Sequence, residues 1–386
     1  MNIVILSPHF PPNYFLFAVR LREMGVNVLG LGDAEFYHLR PDLQRALTEY
    51  FRVENMQNYD DLVRALGFFT HRYGKIDRLD SFNEFWLETE ANLRTDFNIF
   101  GVKSNAIQYM KRKSLMKEKY REAGITVAEG ERCQSVEQAW EFVNRSGYPI
   151  IAKPDIGVGA NQTYKINDNS DMQNFVSISN CTDYFLEQFV EGNIISFDGL
   201  TDREGNLVFY TAHQYSGGVM EAVNDDRDIY YYSYRDIPED LTNASTALLK
   251  AFDIRERFFH LEFFRRPDGS LVGLEVNMRP PGGLTTDMFN YANDFDIYRE
   301  WARLVTQNHF GAEWNRPYHV AYVGRKNNKN YRYKHADILK MFAEKIVSHE
   351  SISGVFAPAL GNYGYLLRTP DQEEILHMAA VIQEKV

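Results

Sequence analysis

Two glutamates, an asparagine and an arginine stand at spacings that suit metal and phosphate chemistry in FFHLEFF (258–264), SLVGLEVNM (270–278) and the NMRPPGG run (277–283). Asp268-Gly269, between the two apolar stretches, is a strong hairpin signal. A two-residue turn there pairs Pro267 with Ser270 and sets Glu262 opposite Glu275. The two-residue side-chain period puts Glu275 and Asn277 on one face and Leu274, Val276 and Met278 on the other. Two carboxylates roughly 5 Å apart repel by about 3 kcal/mol at an effective dielectric of about 20. A hard divalent cation relieves that repulsion. The all-oxygen donor set of Glu262, Glu275 and the Asn277 amide suits Mg²⁺, with Mn²⁺ as the alternative ion. The competing readings are a solvated acidic face, protonation of one carboxylate, and a longer turn that shifts the register and separates the pair. Arg279 would either pair with these glutamates or hold a phosphate or carboxylate bidentately beside the metal.

A second candidate is YPIIAKPDIGVGANQTYKI (148–166). Lys153 ends an apolar strand, and Gly157 and Gly159 sit in the loop after it. Glycines let backbone N–H groups approach phosphate oxygens, and lysine adds a point charge. An ordinary hairpin loop beside a surface lysine is the commoner reading of such a segment, and GxxxxGK[ST] is absent. YFLEQFVEG (184–192) is an apolar strand edge whose backbone could pair with a purine. His9, His213 and His260 are candidate bases, although isolated histidines are more often structural. GGVMEAVNDDRDIYYYSYRD (217–236) reads either as a substrate-contacting segment or as an exposed acidic loop.

The elements that must position these residues follow from periodicity and punctuation. Ile3–Leu6, a helix over 13–24 closed by Gly25, and Val26–Leu31 make a strand–helix–strand unit, hence a parallel α/β layer. Tyr59–Tyr73 has helical spacing of Leu62, Val63, Leu66 and Phe69, and 85–97 is a further helix. A basic helix runs over Lys111–Ile125. Ser135, with Gln138 three residues on, predicts a capped helix over 135–146. The segment 221–240 reads as a polar connection, and a final helix covers 371–385. The expected domains are 1–105, 106–192 and 193–386.

The ordered set, from Lys113 in the basic helix through YPIIAKP with its glycine loop and FLEQFVEG to HLEFF and LEVNMRPPGG, resembles the ATP-grasp superfamily, which includes biotin carboxylase, carbamoyl phosphate synthetase and the D-alanine–D-alanine ligases. The resemblance covers about 105–310, and the N-terminal unit is similar to the domain that precedes such modules. It implies an ATP-grasp fold, α/β and α+β, behind an N-terminal parallel α/β domain. It further implies that Lys113 and Lys153 contact the nucleotide phosphates and Gly157, Gly159 and Ala160 belong to a lid. Glu187, Gln188 and Val190 would form the adenine linker. Glu262, Glu275 and Asn277 would bind Mg²⁺, and Arg279 would act with Lys153 in catalysis by stabilising an acyl phosphate. Where the family often carries an acid for the ribose this chain has Ile194, and Glu191 is the substitute. The implied activity is an ADP-forming carboxylate–amine ligase using ATP. The alternatives are a nucleotide-binding protein without turnover and a bicarbonate-dependent carboxylase or carbamoyl phosphate synthetase-like enzyme.

Composition narrows the partners. The net charge of −11 argues against nucleic acid as the main partner. No long apolar run suggests a membrane span, and MNIVILSPHF reads as a strand rather than a signal peptide. Two cysteines without paired spacing suggest neither a disulfide framework nor zinc. A cytoplasmic protein acting on small-molecule carboxylate and amine substrates, compatible with a homodimer, is expected.

Overall fold

The computed structural model describes residues 1–157, 162–352 and 354–386. The first layer is a four-stranded parallel sheet in the order Glu49–Arg52, Asn27–Gly32, Asn2–Leu6, Arg78–Asp80. Its two central strands, Asn2–Leu6 and Asn27–Gly32, are apolar on both faces because both faces are covered. Val4, Leu6 and Leu29 pack with Leu62, Leu66 and Phe69 of helix Tyr59–Tyr73. Ile3, Ile5 and Val28 pack with Phe17 and Leu21 of helix Phe15–Glu23. That second core is shared with the rest of the molecule, since Phe17 meets Phe258 and Trp301 at centroid distances of 5.7 and 5.0 Å.

The second sheet is antiparallel and runs Gly130–Arg132, Tyr184–Gln188, Ile150–Pro154, Tyr164–Ile166. Helices Val136–Ser146 and Asn169–Ile178 share one core with it. Ser135 caps the first of them by accepting the Gln138 N–H at 3.2 Å. The third sheet has eight antiparallel strands, in the order Leu271–Asn277, Phe258–Arg265, Asn193–Thr201, Leu207–Tyr215, Tyr230–Ser233, His319–Arg325, Tyr363–Thr369, Ile346–Ser351.

Three local expectations change. The connection read over 221–240 contains helix Val219–Asn224 and a central strand, Tyr230–Ser233. Tyrosine suits a strand covered on both sides, and Tyr231 stacks on Tyr215 and Tyr322 at 4.9 and 5.1 Å. The basic helix is broken: helix Ser104–Lys111 stops, Arg112 is extended and bridges Ile156, and helix Lys113–Glu122 begins. Met116 and Tyr120 of this last helix pack on the long sheet against Leu261, Phe263 and Val276.

The third change lies in the acidic hairpin. Its turn holds three residues, with Arg266 N–H donating to Ser270 O at 3.0 Å and Gly269 at φ +83°. Only a glycine-tolerant left-handed residue closes such a turn. Phe263, Phe264 and Arg265 therefore pair one residue earlier than a two-residue turn requires, with Gly273, Val272 and Leu271. A bulge at Leu274 restores the register, and Glu262 lies opposite Glu275 and His260 opposite Asn277. Among the described residues no helix is long and apolar enough to cross a membrane.

Candidate active site

The hairpin carries its acids on a polar patch of the long sheet. Glu262 pairs with Ser196 on one side and Glu275 on the other, and His260 with Asp198 and Asn277. Behind the acids stands a buried chain of polar groups. Asp198 is fully buried and accepts from Ser196 Oγ at 2.6 Å, binds His213 Nδ1 at 2.8 Å, and is in close contact with His260 Nδ1. His260 Nε2 then reaches Glu262 at 3.5 Å. Burial opposes a charge on His260, but Asp198 outweighs it and raises the imidazole to about 10. His213 and His260 are thus both committed to Asp198. His9 lies elsewhere, its Nε2 3.9 Å from Asp33.

Opposite the acids are three lysines. Asp155 joins the strand bearing Lys153 to the start of the Lys113 helix: its carbonyl accepts the Lys113 N–H at 2.9 Å and its carboxylate the Ser114 N–H at 2.8 Å. Lys113 Nζ is 3.4 Å from Glu275 Oε1. Burial alone would raise the Glu275 carboxyl, yet Lys113 and Lys153 bring it below its usual value. Lys153 Nζ lies 2.5 Å from Glu187 Oε1, and Lys117 Nζ 3.2 Å from Glu187 Oε2. Burial works against the Glu187 charge, but these two lysines hold the carboxyl down at about 2. Burial also lowers Lys117, to about 8, with Glu187 acting in the opposite sense.

The Glu187 side chain is therefore occupied in holding lysines, and its backbone lies in an interior strand, opposite Gly130 on one side and Ile151 on the other. Beyond it, Gln188 is half-buried and Val190 has no backbone hydrogen bond among the described residues, while Glu191 is exposed. Gly157 abuts Pro154, whose Cβ is 3.2 Å from the position a Cβ on the glycine would take. Gly159 and Ala160 lie outside the described residues. Arg279 pairs with neither hairpin glutamate. Its Nε donates to Glu84 of the N-terminal layer at 3.2 Å and its Nη1 to the Pro280 carbonyl at 3.0 Å. Burial pushes the Glu84 carboxyl up, Arg279 opposes this, and Glu275 adds to it.

Three residues of this site were missed from sequence. Lys117 sits four residues after Lys113, on one helix face, which is a usable signal. Asp198 interrupts an apolar strand, also a signal. Glu84 has none, because only the fold brings it to Arg279.

The donor chemistry fits a divalent cation. Two carboxylates and an amide oxygen occupy neighbouring register positions, and the side chains of Glu262 and Glu275 keep 15% and 27% of their surface open. Among the described residues no group of three or more His, Cys, Asp or Glu is placed to hold a metal ion, so any such site depends on the Asn277 oxygen as third protein donor. The lysines beside it suit a polyphosphate.

Residues 146–287 match the family model of the ATP-grasp domain. The chain is 27% identical over 221 residues to the L-arginine-specific L-amino acid ligase of Bacillus subtilis, covering 55% of this chain and 53% of that protein. It thus spans about half the length of that relative. Among solved structures, the L-amino acid ligase from Bacillus licheniformis superposes with a TM-score of 0.76 at 14% identity, over 98% of this chain and 95% of that one. The biotin carboxylase domain of the Hydrogenobacter thermophilus 2-oxoglutarate carboxylase, solved with MgADP and bicarbonate, gives 0.73 at 15% identity, over 100% and 90%. This chain has the ATP-grasp fold and carries an ATP-grasp domain.

Proposed function

We propose that the chain is an ADP-forming ligase that uses ATP to activate a small-molecule carboxylate as an acyl phosphate for attack by an amine. The observation that carries this is the meeting of lysines and hairpin acids, with Lys113 Nζ 3.4 Å from Glu275 Oε1. A carboxylate oxygen of the substrate attacks the γ-phosphorus and ADP leaves. The amine then attacks the acyl carbon, phosphate leaves, and the amine gives up a proton. Lys113 and Lys153 bind the phosphates and offset charge on the transferred group, and Arg279 holds the substrate carboxylate. Glu262, Glu275 and Asn277 would hold Mg²⁺, which when bound neutralises phosphate oxygens. The Val190 backbone offers a purine edge an unused partner.

The relatives named L-amino acid ligases support an amine-accepting reaction. The test is ADP release with ATP, Mg²⁺ and a panel of amino-acid pairs. No ADP with any pair, together with no nucleotide binding, would end this reading. The neighbour solved with bicarbonate supports a second one, and ADP release that depends on bicarbonate alone would favour it.

A further inference from the structure

The segment RKNNKNYRYKH (325–335) gathers lysines and arginines in a chain whose net charge is −11. Three of them are answered locally. Lys326 Nζ donates to Asp226 at 2.8 Å, Lys329 lies 3.2 Å from Asp228, and Arg332 pairs with Glu384. Among the described residues Arg325 and Lys334 pair with no carboxylate. Arg325 ends the strand His319–Arg325 and is only 8% exposed. Its Nε donates to the Ile382 carbonyl at 2.6 Å and its Nη1 to the Tyr333 carbonyl at 2.9 Å. Its Nη2 is buried without a hydrogen-bond partner among the described residues. The Tyr331 ring centre lies 4.5 Å from the guanidinium carbon. Two neutral carbonyls and a ring do not cancel a buried charge, and an unanswered one is costly.

Arg325, Lys329, Lys334 and the rings of Tyr331, Tyr333 and His335 line a cavity of about 530 Å³, a size usual for small-molecule sites. None of the residues assigned above to ATP, metal or substrate lines it. Four strands of the long sheet separate Leu271–Asn277, which carries Glu275, from His319–Arg325. The acids around it are engaged: Asp228 is shared by Lys329 and Lys385 at 3.2 and 3.3 Å, and Asp337 accepts the Lys334 backbone N–H at 2.9 Å. Val386 also lines the cavity, and it makes no ion pair with Arg325 among the described residues.

We propose that this cavity is a second anion site, separate from the ATP site, and that it takes a terminal phosphate group on the free Arg325 Nη2 and the Lys334 ammonium. A phosphate monoester carries close to two negative charges at neutral pH and three acceptor oxygens, which match two unpaired cations. A carboxylate brings one charge and leaves one cation unanswered. The phosphate belongs either to a phosphorylated small molecule, whose body fills the cavity against Tyr331 and Tyr333, or to free phosphate.

The test is calorimetry on the full chain with the nucleotide site filled by Mg²⁺ and a non-hydrolysable ATP analogue. The probes are phenyl phosphate, inorganic phosphate and benzoate. Phenyl phosphate should bind once per chain, and benzoate about 10-fold or more weaker. Arg325→Met should weaken phosphate binding by about 10-fold or more, and Lys334→Gln, at an exposed position, by about 3-fold. Inorganic phosphate binding as tightly as phenyl phosphate supports the site with free phosphate as its ligand. Weaker binding supports it with a phosphorylated molecule. The inference is overturned if neither phosphate binds saturably, or if benzoate binds as well as phenyl phosphate. It is also overturned if neither substitution weakens the binding, since the phosphate then sits elsewhere. Arg325 also holds two carbonyls, so a thermal melt checks its variant. If Arg325→Met is unfolded, Lys334→Gln alone decides, and unchanged affinity in it overturns the site.

Discussion

The lysine cluster and the acidic hairpin face each other, and both carry their charges already paired, but in different ways. Glu187 is 5% exposed and grips Lys153 and Lys117 at 2.5 and 3.2 Å. Glu262 and Glu275 are more open and have longer contacts, 3.5 Å to His260 and 3.4 Å to Lys113. A tight, dry ion pair resists exchange because an uncompensated buried charge is costly. A longer, wetter one can trade partners at small cost. The lysine cluster is thus a fixed frame, and the hairpin acids are free to take a cation.

The largest effect should come from the exchangeable side. Glu275→Gln keeps the shape and removes one donor charge, so ADP release should fall by about 100- to 1,000-fold, with a thermal melt close to that of the unsubstituted chain. An unaffected rate would remove the hairpin from the chemistry. Glu187→Gln strikes the frame instead. It leaves two buried lysines without their counter-charge and should cost about 3–5 kcal/mol of stability, read by urea unfolding. If it cost nothing, the contrast between frame and exchangeable acids would collapse.

A steric test sits between the two regions. A Cβ on Gly273 would lie 2.2 Å from Tyr120 Cε1, and the Gly273 carbonyl accepts from Lys117 Nζ at 3.1 Å. Gly273→Ala should therefore destabilise by about 1–3 kcal/mol through overpacking, and a neutral melt would show that the hairpin can slide.

The smallest effect uses a carboxylate held without cations. Asp287 accepts from Asn13 Nδ2 and Tyr298 Oη, both at 2.8 Å, and burial raises its carboxyl from 3.8 to about 6. Between those values the folded chain holds the proton more firmly than the unfolded one, so stability falls as pH rises through the window. Allowing for its partial exposure the change is about 1–2 kcal/mol. Melting temperatures from pH 4 to 7 should show a component that Asp287→Asn lacks. Glu187, held by two lysines, behaves oppositely: its contribution is present above about 4.5 and is lost as pH falls toward 2. Identical pH slopes for the chain and its Asp287→Asn variant would contradict the assignment.

Much of this was legible in the residues alone. The apolar runs at Ile3–Leu6 and Val26–Leu31 predict buried parallel strands, which the structure places at Asn2–Leu6 and Asn27–Gly32, and Tyr59–Tyr73 is a helix over its whole predicted span. Period-two alternation and an Asp-Gly turn placed Glu262 against Glu275. Such patterns are local, because the repeat of a helix or strand decides which side chains share a face. The turn is one residue longer than Asp-Gly alone implies, and Glu262 still lies opposite Glu275 only because the bulge at Leu274 restores the register. The strand Tyr230–Ser233 escaped notice because nothing in YYYS announces that two other strands will flank it.

What the tertiary structure alone decided are the contacts between distant segments: Glu84 on Arg279, Lys117 and Lys153 on one glutamate, Asp198 between two histidines. Residue types told which charges exist. Which of them lie within 4 Å of one another, and how much water remains between them, depends on how three sheets pack, and no repeat in the chain encodes that.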